Sequence, residues 1–335
     1  MRTLGHSLSA LLLSAAVFGA AHADALSTGS AYTVTPLVSD QAGMAPNVDP
    51  NLVNAWGLAQ DPTGALWVSD AGTGVSTLYD RQSGAINSLV VNIPMGGPTG
   101  IVAPLKGGFD VSENGSSGSS IFLFDTLSGA IEGWNPGVDP NNAIVAVDNS
   151  ANGSVYTGLA LDKKTNLLFA ADNKNNQVQV FDKTFNPVAT FTDPSLPKGY
   201  APHNVAALNG KIYVAFAKLG GGGGYVDVFD TSGALLTQLI AKKPLNAPWG
   251  LTIAPKKFGA FASDLLVGNL GDGKIHAFDP VSGALLGTLS DAKGKPLKID
   301  GLWALDNGPG NDTVTFSSGP GGYAHGLVGL IKSAN

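Results

Sequence analysis

The sequence contains no cysteine, which excludes a disulfide framework, a thiolate zinc site and a cysteine nucleophile. Charged residues are scarce, 13% of 335, about half the quarter usual in globular chains. Low charge here does not mean disorder, because 44% apolar and 8% aromatic residues can fill a core. The formal net charge of −6 offers nothing to offset phosphate repulsion, so no nucleic-acid partner is expected. No window past the N-terminal segment sustains a 3.6-residue apolar period. What is plentiful is glycine, 45 residues, with 20 prolines. Together they reach about 19% against about 12% on average, and without a period of three they do not signify collagen. The chain reads as globular and rich in turns, either two or three domains or one large β architecture.

Residues 1–23 read as a signal peptide. Arg2 precedes an apolar stretch from Leu8 to Ala21, and Ala21-His22-Ala23 has the small-x-small form of a cleavage site. The stretch is about 14 residues, short of the about 20 needed to span a bilayer, and no later run replaces it. The expectation is a periplasmic or secreted protein without a membrane anchor, its residues 24–335 forming a single domain.

Two elements recur through that domain. The first is an aromatic residue, Asp and a turn, at Tyr79-Asp80, Phe124-Asp125, Phe181-Asp182, Phe229-Asp230 and Phe278-Asp279. The second is a glycine before an aliphatic residue, at Gly57-Leu58, Gly100-Ile101, Gly158-Leu159, Gly250-Leu251 and Gly301-Leu302, with Asn204-Val205 as a degenerate copy. These make six copies of about fifty residues, each a set of four short strands bounded by Gly, Pro, Asn, Asp and Ser. The pattern predicts an all-β fold, a six-bladed β-propeller. Blades are expected at about 54–96, 97–153, 154–199, 200–246, 247–298 and 299–335. The last copy holds only three strands, and the segment 32–40 has no blade of its own. Placed as the outer fourth strand of the last blade, it closes the ring, and Pro36 suits an outer strand. A seven-bladed ring and a pair of β-sandwiches are the alternatives.

The runs Asn54-Ala55-Trp56-Gly57-Leu58, Leu66-Trp67-Val68-Ser69-Asp70 and Ala247-Pro248-Trp249-Gly250-Leu251 resemble NHL-type repeats and the gluconolactonase-like propellers. The chain after its leader also resembles a family of exported bacterial propeller proteins of unassigned function, through Pro98-Thr99-Gly100-Ile101-Val102, Gly133-Trp134-Asn135-Pro136, Asp264-Leu265-Leu266-Val267-Gly268-Asn269 and His325-Gly326-Leu327. The gluconolactonase resemblance implies a metal at the channel mouth that polarises a lactone or ester carbonyl. It carries over cleanly only to Asp300.

In a propeller the loops entering each first strand, and those joining second to third strands, surround one mouth of the channel. The residues before the repeat glycines are then expected to form a ring of Trp56, Thr99, Thr157, His203, Trp249 and Asp300. The second-strand ends are expected to add Asp70, Glu113, Asp172, Phe216, Asn269 and Ser317. Such oxygen-rich donors suit a hard divalent cation such as Ca²⁺ better than zinc. On this reading Asp70, Glu113, Asp172 and Asp300 are the candidate metal ligands, and His203 and Asp300 the candidate catalytic pair. Trp56, Trp249, Asn269 and His325 are the candidate ligand contacts. Each has a structural reading beside the functional one: the acids cap turns, the tryptophans plug the channel, and His276 is a mid-strand structural residue. Five consecutive glycines, Gly220 to Gly224, mark a loop on the same face. The run from Gly268 to Lys274 has the spacing of a phosphate loop but lacks the following Ser or Thr and the helix, and no Gly-x-Ser-x-Gly elbow occurs. Two functions fit: a propeller binding a small molecule, carbohydrate or protein at the mouth, or a metal-dependent hydrolase or lactonase acting there.

Overall fold

Aspartates cut the apolar runs into strands. Asp80 Oδ1 accepts from the backbone N–H groups of Gln82 and Ser83 and from the Ser83 hydroxyl. Asp182, Asp230 and Asp279 hold the equivalent turns through Thr184, Ser232 and Ser282. These side chains satisfy donors that a two-stranded turn would otherwise leave to water. The computed structural model describes residues 31–334 except 62, 63, 105 and 219. The signal peptide expected at residues 1–23 lies outside the described residues.

Six sheets, each with four antiparallel strands, surround a channel, one innermost strand from each. The first blade is β3 (Ala55–Gln60), β4 (Ala65–Asp70), β5 (Val75–Asp80) and β6 (Ile86–Asn92). The second is β7 (Pro98–Val102), β10 (Phe122–Thr126), β11 (Ala130–Trp134) and β12 (Ile144–Asp148), with β8 (Asp110–Glu113) and β9 (Ser116–Ser119) as an inserted hairpin. The third is β13 (Tyr156–Asp162), β14 (Leu167–Asp172), β15 (Gln177–Phe181) and β16 (Pro187–Phe191). The fourth is β17 (Tyr200–Leu208), β18 (Lys211–Lys218), β19 (Tyr225–Phe229) and β20 (Leu235–Ala241). The fifth is β21 (Pro248–Ile253), β22 (Leu265–Asn269), β23 (Ile275–Phe278) and β24 (Leu285–Thr288). The sixth joins β25 (Leu302–Asn307), β26 (Thr313–Ser318) and β27 (Leu327–Ser333) to β1 (Tyr32–Ser39), with the short β2 (Asn47–Val48) outside.

The N-terminal strand thus completes the last blade as expected, pairing Tyr32 with Ser333 through to Ser39 with Leu327, with a register shift between Pro36 and Val38. Each seam between neighbouring blades holds its own apolar cluster, such as Phe169, Phe216 and Phe229 between the third and fourth. A propeller strand is therefore covered on both faces, which is why the chain needs so few charges.

The repeat glycines are required by the ring. A Cβ on Gly57 would lie 2.3 Å from the Thr99 carbonyl oxygen, and one on Gly100 would lie 2.2 Å from Leu159 N. One on Gly158 would meet Asn204 Oδ1 at 2.1 Å, and one on Gly250 the Trp303 oxygen at 2.8 Å. None of these four has a positive φ, so the constraint is the close approach of neighbouring innermost strands.

Candidate functional site

The strand registers define the mouth. Ala55 pairs with Asp70, Pro98 with Thr126, Tyr156 with Asp172, Pro202 with Phe216, Pro248 with Asn269 and Leu302 with Ser318. The residue after each first partner holds the same place in every blade: Trp56, Thr99, Thr157, His203, Trp249 and Trp303. Five members of the expected ring stand where the sequence placed them, and the sixth does not. Asp300 lies in the turn before β25, its Oδ2 accepting from Gly321 N at 2.9 Å, while Trp303 takes the ring position and Ala304 the place of the repeat glycine. Asp300-Gly301-Leu302 imitates the repeat three residues too early.

The second expected ring needs two further corrections. Glu113 is not at a second-strand end: it sits on the inserted β8–β9 hairpin and is exposed. In that blade Phe124-Asp125 belongs to the second strand, so Thr126 occupies the ring position, whereas in other blades the aromatic-Asp pair ends or follows the third strand. In the last blade the ring position falls on Ser318, one residue beyond the expected Ser317.

The tryptophans close the channel. Trp56 and Trp303 stack with centroids 3.6 Å apart and planes at 14°, and Trp249 meets both edge-on at 6.4 and 6.0 Å. Exposures of 6%, 5% and 3% for Trp56, Trp249 and Trp303 make them a plug. Trp249 Nε1 donates to the Thr157 oxygen at 2.8 Å and Trp303 Nε1 to Asn54 Oδ1 at 2.8 Å, so two of the three indoles are fixed in rotation. Ser317 completes the seam, accepting from Ala304 N and donating to the Trp56 oxygen.

Against this plug stand His203, itself a member of the ring, and Tyr323. Tyr323 is 45% exposed, with a left-handed φ of 72°, and its ring is 5.5 Å from that of Trp303. His203 lies 6.1 Å from Trp303, and its Nδ1 is 2.9 Å from the Pro248 oxygen. A carbonyl can only accept, so Nδ1 carries the proton and Nε2 presents its lone pair. Burial pushes the imidazole down to about 4, against the contrary effect of the Pro248 bond, and His203 is neutral at ordinary pH. On the 319–326 loop, His325 Nδ1 is 2.8 Å from Asp40 Oδ2, and Asp40 Oδ1 accepts from Gly326 N.

The other candidates hold their own loops. Asp70 is buried, one oxygen accepting from Thr77 Oγ1 at 2.8 Å and the other without a partner. Burial raises its carboxyl well above the usual range, and the Asp49 charge adds to this. Asp172 accepts from Ser154 Oγ, Val155 N and Asn175 Nδ2 at 2.8, 3.1 and 2.8 Å. Asn269 Nδ2 donates to the Pro244 oxygen at 3.0 Å, and His276 Nδ1 meets Thr288 Oγ1 at 2.9 Å. Asp70, Glu113, Asp172 and Asp300 therefore do not converge, and among the described residues no group of three His, Asp or Glu is placed to hold a metal ion. The donor set does not fit a gluconolactonase-type metal site.

Sequence reasoning missed Trp303 and Tyr323. Trp303-Ala304-Leu305 differs from Trp56-Gly57-Leu58 only in its central residue, a signal that was present. Tyr323 follows a glycine-rich loop with no repeat to mark it. Beyond the plug, toward the other ends of the innermost strands, the channel holds a cavity of about 400 Å³ lined by Gly57, Gly100, Asn204 and Trp249, with Lys163 and Asp306 among its polar groups. Asp306 accepts from Gln60 Nε2 at 3.0 Å, and burial raises its carboxyl.

No family model matches the chain. "Uncharacterized protein L690" of Acanthamoeba polyphaga mimivirus is 31% identical over 326 residues, covering 90% of this chain and 86% of that protein. "Uncharacterized protein R648" of the same virus is 29% identical over 294 residues, covering 82% and 73%. Among solved structures, a streptogramin B lyase superposes with a TM-score of 0.57 at 14% identity, covering 91% of this chain and 98% of that one. A catalytically inactive histidine-to-alanine variant of virginiamycin B lyase from Staphylococcus aureus, with quinupristin, gives 0.54 at 14% identity, covering 90% and 99%. At that identity the likeness to the lyases is one of fold. The level and extent of the match to the first viral protein show more: this chain belongs to the family of mimivirus protein L690.

Proposed function

We propose that this is an exported propeller that binds a small ring-shaped ligand, a carbohydrate or an aromatic compound, at the channel mouth. The observation that carries the reading is the tryptophan plug with Tyr323 half-exposed against it. A floor of fixed aromatic rings supplies apolar contact at little entropic cost, and the neutral His203 supplies an acceptor beside it. Titration with a panel of neutral oligosaccharides and aryl glycosides, followed by tryptophan fluorescence, tests this. A saturable change for one class that is lost in Tyr323→Ala supports the reading; a flat response across the panel, or binding unaffected by Tyr323→Ala, refutes it.

A second reading is favoured by one specific feature, the unprotonated Nε2 of His203, which suits a general base. It would make the mouth the site of a hydrolase or lactonase, or of a lyase as in the propellers of like fold. His203→Gln, which removes the imidazole base, should then abolish turnover while leaving binding in place. A divalent cation such as Ca²⁺ would have to bind through donors other than the four acids expected. A melting temperature unchanged by chelator would remove it from the reading.

A further inference from the structure

A second concavity lies on the same face, away from the mouth, where the fourth and fifth blades meet. Its volume is about 1240 Å³, and its walls come from the start of β17, the glycine-rich loop before β19, the 241–246 connection and the loop leading to β23. The apolar side is formed by Tyr200 and Tyr225, whose rings stand perpendicular with centroids 4.8 Å apart. Tyr200 Oη donates to the Gly222 oxygen at 2.6 Å, tying the glycine loop to this wall. Gly222 and Gly223 both have positive φ, 105° and 88°, so backbone rather than side chain faces the space there.

The polar side is basic. Lys242, Lys243 and Lys274 line the concavity with one acid, Asp272, which pairs with Lys274 at 3.0 Å. That is an excess of two positive charges in a protein whose formal net charge is −6. His276 also lines it. Only 4% of this residue is exposed, its Nδ1 is taken up by Thr288, and its Nε2 is buried without a partner. An unpaired imidazole nitrogen at the wall of a basic cavity is a cost that folding alone does not explain.

We propose that this seam is a second ligand site, taking an anionic sugar whose ring packs on Tyr200 and Tyr225 and whose carboxylate or phosphate meets Lys242, Lys243 and Lys274. Aromatic walls suit a sugar ring, and lysines bind oxyanions as point charges without demanding one geometry. The site is independent of the mouth.

Isothermal titration of the full protein with glucuronate, glucose 6-phosphate, inorganic phosphate and glucose tests this, with His203→Gln and Tyr323→Ala run beside the wild type. The expected result is binding of the two charged sugars, weaker binding of phosphate, and none of glucose, unchanged in the two mouth variants. The two sugars distinguish a carboxylate from a phosphate head. Lys274→Gln should weaken binding about tenfold or more, the loss of one charge-assisted contact, and the double variant Lys242→Ala/Lys243→Ala, which removes two, at least as much. Both alter exposed or half-exposed side chains, and their melting curves check the fold. The proposal is overturned if neither charged sugar binds, if glucose binds equally well, or if the lysine variants bind as the wild type does.

Discussion

Gly100→Ala tests whether the innermost strands close the ring as tightly as the structure shows. The added Cβ would sit 2.2 Å from Leu159 N, 2.6 Å from Leu159 Cβ and 2.9 Å from Asp125 Oδ1. An ordinary contact is about 3.5 Å, so the second and third blades must separate by about 1 Å or β7 must shift. The nearest obstacle is backbone of β13, itself held on its other side by Asn204. Gly100 N also donates to Asp125 Oδ1, a buried carboxylate that accepts from Thr99 Oγ1 as well, and the shift would disturb both bonds. Overpacking costs about 1–3 kcal/mol and occasionally more. With no side chain free to yield, about 3–4 kcal/mol is expected here, a fall in melting temperature of about 6–16 °C at about 2–4 °C per kcal/mol. Calorimetry of the variant measures it. Ala304→Gly is the internal control, since that ring position already carries a methyl group, and it should cost only about 0.5–1 kcal/mol. A Gly100→Ala protein melting within about 2 °C of the wild type would mean that the innermost strands are further apart than described.

Trp303→Ala removes the stacked member of the plug and should cost about 3–5 kcal/mol, while joining the mouth to the channel cavity; unchanged chemical denaturation would contradict the burial. Asp227, fully buried in β19 beside Asp193, has both oxygens without a donor, and burial with the neighbouring carboxyl pushes it up to about 8. The folded state therefore holds this proton where the unfolded chain has lost it, so stability falls as pH rises from about 4 to about 8, by at most about 1.4 kcal/mol per pH unit. Asp227→Asn should match the wild type near pH 4 and melt higher at pH 8, and parallel pH profiles would refute the assignment. His203 acts in the opposite range: its lowered value means that stability is intact above about 6.5 and lost as pH falls through about 4. His203→Gln should flatten that acid limb in pH-dependent melting.

The turn aspartates and the blade count follow from residues near one another in sequence, because hairpin turns and strand alternation are local devices, and the strand that closes the ring, though its partner lies at the other end of the chain, was legible as the one missing from the last blade. The glycines were legible as markers, but their reason, a neighbouring blade within 3 Å, was not. The site was less legible for the same reason. Asp300-Gly301-Leu302 and Trp303-Ala304-Leu305 compete for one repeat position, and packing decides: Trp303 has Trp56 to stack on, whereas Asp300 would bring a charge into a buried aromatic cluster.

Sequence by itself determined an all-β ring of repeats with few charges and many turns, since covering both faces of every sheet demands apolar strands and tight connections. Only the tertiary structure decided that the mouth is stoppered by three tryptophans and that the expected acids stay apart. Those outcomes depend on contacts between blades about fifty or more residues distant in sequence, where no local pattern records which side chain will meet which.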